Sequence, residues 1–267
     1  IGNLGSKVIT FLIVPFYTYY LTTAEYGAAD LVTTTVNLIA PFAMMGMNEA
    51  VLRFSVSREE SIGSIASNSM VVVLAGWIVC WASFPLFRTL SVIGDNVIFF
   101  LFLLCLASFN SVFMQLLRGI GKTRAFAANG VIVTFATAAA SVVALAVLHL
   151  GVAGYLASMV IAQFIGAVHI VVYCRLWKLL SWKLIDKRAM KTMLVYCVPL
   201  IPNSLMWWIM SASNRYVILL FLGVSANGIY NVAQKIPSIV NIVYGIFMQA
   251  WQISAIEERD SEDNAKF

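Results

Sequence analysis

The sequence predicts an all-α integral membrane protein with about eight transmembrane helices. Of its 267 residues, 61% are hydrophobic and only 11% are charged, and the mean hydropathy is +0.89. A soluble domain is about half apolar and about a quarter charged. Several apolar runs also reach the roughly 20 residues that a helix needs to cross a bilayer. These runs mostly lack alternating polar faces, which favours membrane spans over a soluble core.

Eight apolar runs define the predicted spans, and short turns or basic segments separate them. In the longest basic segment, residues 175–191, Trp, Leu and Ile are interleaved with Lys and Arg. This pattern favours an amphipathic helix at the membrane interface, and a solvated linker is the alternative. The predicted spans are residues 4–21, 28–48, 68–87, 97–117, 129–148, 155–174, 194–222 and 228–251.

The connecting segments alternate in charge. Those after spans two, four and six hold two, three and six basic residues, whereas those after the odd-numbered spans hold one in total, Arg88. Basic residues in short loops mark the cytoplasmic side of a membrane. The N-terminus is therefore expected in the cytosol, and an even number of spans agrees with this topology.

Spans one and two share a layout with spans seven and eight. A shift of 201 positions aligns Leu21 with Leu222, Gly27 with Gly228 and Met47 with Met248. Internal repeats are common in transporters. Both pairs start on the same side of the membrane, so the predicted repeat is parallel.

The repeat sets the predicted domain organisation. Residues 1–175 form a six-helix lobe, 176–193 a basic cytosolic or interfacial linker, 194–252 the first two helices of a second lobe, and 253–267 a charged cytosolic segment. We expect the chain to be a piece of a longer protein, cut at both ends.

Two charged residues fall at membrane depth, Arg215 in span seven and Lys235 in span eight. Such charges are costly in lipid and usually face a bundle interior or a wet cavity, although a long side chain can also snorkel to the interface. Asn214 adjoins Arg215, and a polar stripe at helical spacing surrounds Lys235. The stripe consists of Asn231, Gln234, Lys235, Ser238 and Asn241.

A second basic set lies near the predicted cytosolic face and comprises Lys7, Arg53 and Arg118. These residues could anchor the topology or attract an anionic head group. Acidic residues are scarce within the spans, so a cavity lined by Arg and Lys suits phosphate or diphosphate rather than organic cations.

No catalytic constellation is visible in the sequence. His149 and His169 are isolated, and no nucleotide-binding loop of the Gly-Lys-Ser/Thr type occurs. The basic residues lie between apolar runs, which excludes a nucleic-acid patch. The protein is therefore expected to be neither an enzyme nor a nucleic-acid binder.

Two blocks of sequence resemble the bacterial oligosaccharide flippases of the multidrug/oligosaccharidyl-lipid/polysaccharide exporter superfamily. The first block is LTTAEYGAADL at residues 21–31, followed by Arg53-Phe54. The second and more specific block is NRY at 214–216, GIYNVAQKIP at 228–237 and QAW at 249–251. Relatives often carry Asp where this chain has Asn214, which puts an ion-coupling role for that position in doubt.

The resemblance implies twelve or fourteen helices in two lobes, and translocation of undecaprenyl-diphosphate-linked sugars across the bacterial inner membrane by alternating access. Arg215 and Lys235 would hold the diphosphate, with Asn214, Asn231 and Gln234 near it, and Lys7, Arg53 and Arg118 would help to load it. The implied partners are the lipid-linked oligosaccharide and membrane lipids. Polysaccharide polymerase machinery is left open as a partner, no cofactor is implied, and ion or proton coupling is left open.

Three alternatives remain at this stage. A lipid II flippase would carry the same diphosphate lipid, and a multidrug exporter would have the same fold. The cationic character of the intramembrane charges argues against the exporter. A membrane-embedded glycosyltransferase or polymerase would need a sizeable extramembrane loop or paired carboxylates at an interface. The longest loop here is basic, with Asp186 as its one acid.

Overall fold

In a computed structural model, all described secondary structure is helical, which confirms the all-α prediction. The described residues are 9–10, 12–90, 93–235, 237, 240, 244–245, 247–248 and 251–252. Among them, five helices are long and apolar enough to cross a membrane, or six if one bent pair is a single span. The predicted first and eighth spans lie partly outside the described residues.

Twelve α-helices follow one another in the described chain, and short 3-10 turns at Gly94–Asn96, Trp182–Leu184 and Val198–Leu200 join some of them. A π-helical turn, Val143–Val147, extends the seventh helix. The helices are α1 Val14–Tyr20, α2 Thr23–Ala43, α3 Met47–Ser57, α4 Ile62–Ala82, α5 Phe84–Arg88, α6 Val97–Gly119, α7 Thr123–Val142, α8 Gly151–Cys174, α9 Leu176–Leu179, α10 Lys187–Cys197, α11 Ile201–Leu222 and α12 Val224–Ala233.

Helix α6 is the centre of the first lobe. It is mostly apolar, with its polar residues confined to its second half, and it packs against α2, α3 and α8. Phe100 and Leu104 near its start join one buried cluster, and Phe113 and Leu116 near its end join a second. A mostly apolar helix is expected to be buried, so the position of α6 follows from its composition.

Helices α2 and α3 form a bent pair, with 56° between their axes. The break lies at Met45 and Gly46, which both have positive φ values, of 49° and 66°. A side chain at Gly46 would lie 3.0 Å from the carbonyl oxygen of Cys197 at the end of α10. The bend therefore lets the end of α10 pack closely against the break between α2 and α3.

The basic linker does not form one amphipathic helix. It consists of the short α9, a 3-10 turn and the start of α10, which continues with α11 as one helical stretch, Lys187–Leu222, of 36 residues. The backbone N–H groups of Ser181 and Asp186 donate to Ser67 and Asn68 on α4. These hydrogen bonds hold the linker against the first lobe instead of leaving it as a separate interfacial helix.

Helices α2 and α12 cross where two glycines meet. A Cβ atom on Gly27 would overlap the carbonyl oxygen of Val224, and one on Gly228 would overlap that of Thr23. The contact is reciprocal: the shift of 201 positions that aligns the two glycines also aligns Thr23 with Val224. A two-fold axis between two equivalent helices would produce such a contact, and the parallel repeat remains a prediction from the sequence.

A glycine replacement tests whether this backbone contact stabilises the fold. We expect Gly27→Ala to lower the free energy of unfolding by about 1–3 kcal/mol, because the added methyl group forces two helix backbones apart. Gly245→Ala is the control, since no atom of the described residues lies within 4 Å of the Cβ position there. Thermal unfolding in detergent compares the two, and equal stability of both variants would contradict the packing described.

Candidate functional site

Asp30 is a buried acid inside helix α2 rather than a residue at its end. The helix begins at Thr23, five residues before the predicted start of the span, and Asp30 is therefore about two turns in. Its start is fixed by Thr22 and Glu25. The Thr22 hydroxyl accepts from the backbone N–H of Glu25, and the Glu25 carboxylate accepts from that of Thr22. The predicted turn at residues 22–27 is thus mostly helix.

Asp30 joins three helices through one carboxylate oxygen. Arg215 Nε on α11 donates to Asp30 Oδ2 at 2.8 Å, and Asn227 Nδ2 on α12 donates to the same atom at 3.2 Å. The side chain of Asp30 is 8% exposed and that of Arg215 is 20% exposed. Because the carboxylate is buried and the guanidinium is only partly exposed, water screens this pair less than it would a surface pair, so the pair holds α11 and α12 against α2.

Hydrogen bonds donated by Nδ2 fix the orientation of the Asn227 side chain. Its Nδ2 also donates to the carbonyl oxygen of Gly27 at 3.2 Å. Its Oδ1 is buried and has no hydrogen-bond partner among the described residues. A buried acceptor without a hydrogen bond lowers the stability of the fold. Here it results from the orientation of the amide, whose N–H group points towards the Asp30 carboxylate. We refer to Gly27, Asp30, Arg215 and Asn227 as the clasp.

Neutral hydrogen bonds extend the contact between α2 and α11, and we refer to the contact of α2 with α11 and α12 as the seam. The Tyr216 hydroxyl and Thr35 Oγ1 are 2.7 Å apart, and Trp208 Nε1 donates to the Thr34 carbonyl oxygen at 3.1 Å. Helix α11 therefore follows α2 through one polar face, while most of its other side chains remain exposed. These partners tie the first helix of the predicted second lobe to the first lobe.

Arg215 is the cation in direct contact with Asp30, and the electrostatic effect of Lys235 on this acid is the weakest of those acting on it. The polar residues predicted around them divide into two groups. Asn214 and Gln234 are exposed and donate to the Tyr230 hydroxyl, at 3.3 and 2.6 Å. Asn231 is buried. Ser238 and Asn241 of the predicted stripe lie outside the described residues.

A cavity of about 360 Å³ lies beside the glycine contact, between α1, α2 and α12. Thr18 and Tyr26 line one wall, and Gly228 and Val232 line the other. Because a side chain at either glycine of the crossing would overlap the opposite helix, the helices meet directly at one edge of this cavity. The seam is therefore closed at the end where α2 and α12 begin.

The second predicted basic set is at the far end of the first lobe. Arg53 stacks on the Tyr196 ring, with Cζ 4.4 Å from its centroid. Arg118 is buried, donates to Gln115 at 2.8 Å and interacts electrostatically with Glu49. Lys7 lies outside the described residues. From Asp30 to the end of α2 is about 20 Å of helix, so Arg53 and Arg118 form a site separate from the clasp.

A sequence model of the polysaccharide biosynthesis protein family matches residues 1–252. The chain belongs to this family. These proteins are the polysaccharide and O-antigen flippases of the multidrug/oligosaccharidyl-lipid/polysaccharide exporter superfamily, so the resemblance drawn from the two sequence blocks is confirmed. No curated protein and no solved structure matches the chain.

Membership in this family associates the chain with polysaccharide biosynthesis, lipid-linked saccharides and a multi-pass membrane location. Its members are generally transporters rather than enzymes. Sequence reasoning found the cations of the site but did not pair them with Asp30 and Asn227. Two signals pointed to these partners: an acid in a chain with few intramembrane acids, and a polar residue next to an aligned glycine.

A double-mutant cycle measures the clasp. We expect Asp30→Asn, Arg215→Gln and the double variant to give a coupling energy of about 1–3 kcal/mol, because each single change leaves a sheltered charge without its partner. Unfolding by a denaturing detergent, followed by helix content, supplies the free energies.

The matched cycle uses Thr35→Val and Tyr216→Phe, which removes a neutral hydrogen bond between the same two helices. Its expected coupling is smaller, about 0.5–1 kcal/mol. A coupling at Asp30 and Arg215 no larger than this neutral pair would show that the ion pair contributes no special stability.

Proposed function

We propose that the protein translocates undecaprenyl-diphosphate-linked oligosaccharide from the inner to the outer leaflet of the bacterial inner membrane, for surface polysaccharide biosynthesis. One observation supports this proposal beyond family membership: Arg215 forms an ion pair with the buried Asp30, and Lys235 acts more weakly on the same acid. Cations sheltered at membrane depth provide the electrostatic complement of a diphosphate head group.

The two cations differ in what they offer to the head group. A guanidinium has five N–H donors in a planar fork, whereas an ammonium is a compact charge on a flexible stem. The Nε–H group of Arg215 donates to Asp30, and Nη1 lies 3.4 Å from the Ser211 carbonyl oxygen. Further Nη protons remain for one phosphate, and Lys235 would bind the other.

The remaining predicted residues would serve the sugar and the approach of the lipid. The Asn214 and Gln234 side chains are exposed beside the seam and can donate to hydroxyl groups. At the end expected to face the cytosol, Arg53, Arg118 and Lys7 would attract the anionic head group. Arg118 is buried and already bonded to Gln115, so its contribution would be mainly electrostatic.

Alternating access would act on the crossing of α2 and α12. In the expected topology this crossing is at the outer end of the seam, and the described state has it closed by direct backbone contact. Release of the sugar to the outer leaflet would require α12 to move away from α2. A rocking motion about the two-fold axis would open this end while it closes the other.

The rival functions differ in the charge that they need. A multidrug exporter for organic cations would use a free carboxylate, but Asp30 is already paired with Arg215. A lipid II flippase would use the same cations, so the sugar distinguishes it. Assays of drug efflux and of peptidoglycan precursor export separate both from the proposed substrate.

Removal of either cation should impair export. We expect Arg215→Gln and Lys235→Gln each to lower the rate of surface glycan export about 10- to 100-fold, since a hydrogen bond to a charged group is worth about 1.5–3 kcal/mol. The measurement is surface glycan in cells whose only copy carries the change, normalised to the amount of protein in the membrane.

Arg188→Gln is the control for loss of one positive charge. Arg188 is exposed in the first turn of α10, outside the seam, and its removal should leave export within about twofold of the parent. Normal export by both Arg215→Gln and Lys235→Gln proteins at full membrane abundance would refute the proposed head-group site.

A further inference from the structure

We propose that a groove along α4 holds the polyisoprenoid tail of the lipid substrate, with the basic linker at its mouth. This inference rests on the proposed function, and it concerns the tail where the clasp concerns the head group. Two cavities form the groove. One of about 240 Å³ lies between α4 and residues 180–185 of the linker, and one of about 580 Å³ lies between α2, α4 and α5. Val71 lines both, so the two cavities adjoin at α4.

The length of the groove favours a polyisoprenoid over a phospholipid chain. Its lining begins at Ser67, in the second turn of α4, and continues to Ser83 at the end of that helix. This distance is about 24 Å of helix. The hydrocarbon core of a bilayer is about 30 Å thick, so one leaflet accounts for about 15 Å of it. A phospholipid chain stays in its own leaflet, whereas an undecaprenyl tail is long enough to follow the whole groove.

Shape rather than hydrophobicity selects the tail. Lipid tails are as apolar as the side chains of a membrane helix, so van der Waals packing drives association inside the bilayer. Helix α4 presents Ala75 and Gly76 to the groove, and a Cβ atom on Gly76 would overlap the carbonyl oxygen of Ala43 on α2. Helix backbone therefore forms the floor of the groove at this point. The methyl branches of an isoprenoid can enter the space beside these small residues, and the straight chain of a phospholipid has no such branches.

The mouth of the groove suits an anionic head group at the membrane interface. Trp182 lines the mouth and is 83% exposed, and tryptophan is enriched at the level of lipid head groups. The backbone N–H of Ser181 donates to Ser67 Oγ at 3.1 Å, which fixes this wall against α4. The exposed Lys183 follows Trp182, in a segment, residues 175–191, with six basic residues and one acid. In the expected topology, a lipid that enters from the cytosolic leaflet would have its head group here and its tail in the groove.

Site-specific photocrosslinking in vesicles tests the occupant. Benzoylphenylalanine replaces either Ala75, which lines the groove, or Ile78, which is 71% exposed on the same helix and does not line it. The vesicles consist of phosphatidylethanolamine and phosphatidylglycerol with a trace of radiolabelled undecaprenyl diphosphate, so phospholipids compete at every position. We expect about fivefold more label at position 75 than at position 78. Equal labelling would mean that the groove takes any lipid, which overturns the inference.

Competitors separate recognition of the tail from recognition of the head group. Unlabelled undecaprenyl monophosphate has the same tail and should displace the label from position 75. Farnesyl diphosphate has the same diphosphate on a short tail and should leave the label in place at equal concentration. Failure of the monophosphate to displace the label, or displacement by farnesyl diphosphate, would contradict a site for the tail.

Export links the groove to function. Ala75→Trp fills the groove and should lower surface glycan export about tenfold, whereas Ile78→Trp should stay within about twofold of the parent because its site is exposed. Normal export by Ala75→Trp at full membrane abundance would count against the groove.

The outcomes for the groove and for the head-group site are distinguishable. Equal labelling at positions 75 and 78, together with loss of export in Arg215→Gln, would overturn the groove alone. Selective labelling at position 75, together with normal export by Arg215→Gln and Lys235→Gln, would support the groove and overturn the head-group site.

Discussion

The ion pair between Asp30 and Arg215 is the interaction on which the packing of α11 and α12 against α2 depends. It joins α2 to α11, and Asn227 adds α12 to the same carboxylate. Charges at this depth are expensive when unpaired. Pairing of these charges therefore favours the packing of α2, α11 and α12 against one another. The neutral hydrogen bonds of Thr35 and Trp208 then align α11 along α2.

The glycine crossing gives this ion pair its geometry. Without side chains at Gly27 and Gly228, the backbones of α2 and α12 touch, and Asn227 can reach both Gly27 and Asp30. Strong electrostatics and direct backbone contact thus occur at one place. A transporter that must open there would have to break both, so the clasp is also where substrate binding can be coupled to opening.

The sequence predicted the middle of each helix better than its start. Long apolar runs marked the spans, but polar first turns were assigned to loops, as at Thr123 and at the Thr22–Glu25 cap. The early start of α2 matters most because it places Asp30 two turns inside the helix instead of near its end. Arg215 and Lys235 were recognisable as charges in apolar runs, but their common partner depends on how distant helices cross. Likewise, the basic residue Arg118 indicated a side of the membrane, but its burial against Gln115 could not be derived from charge alone.

The central claim is that Arg215 and Lys235 receive the diphosphate of a lipid-linked saccharide between the lobes. A cryo-EM structure of the intact protein, determined with a lipid-linked oligosaccharide diphosphate present, tests it most directly. The account predicts density for both phosphates within hydrogen-bonding distance of Arg215 and Lys235, with Asp30 still at Nε of Arg215. Lipid tails against these two side chains, with the head group bound elsewhere, would contradict it.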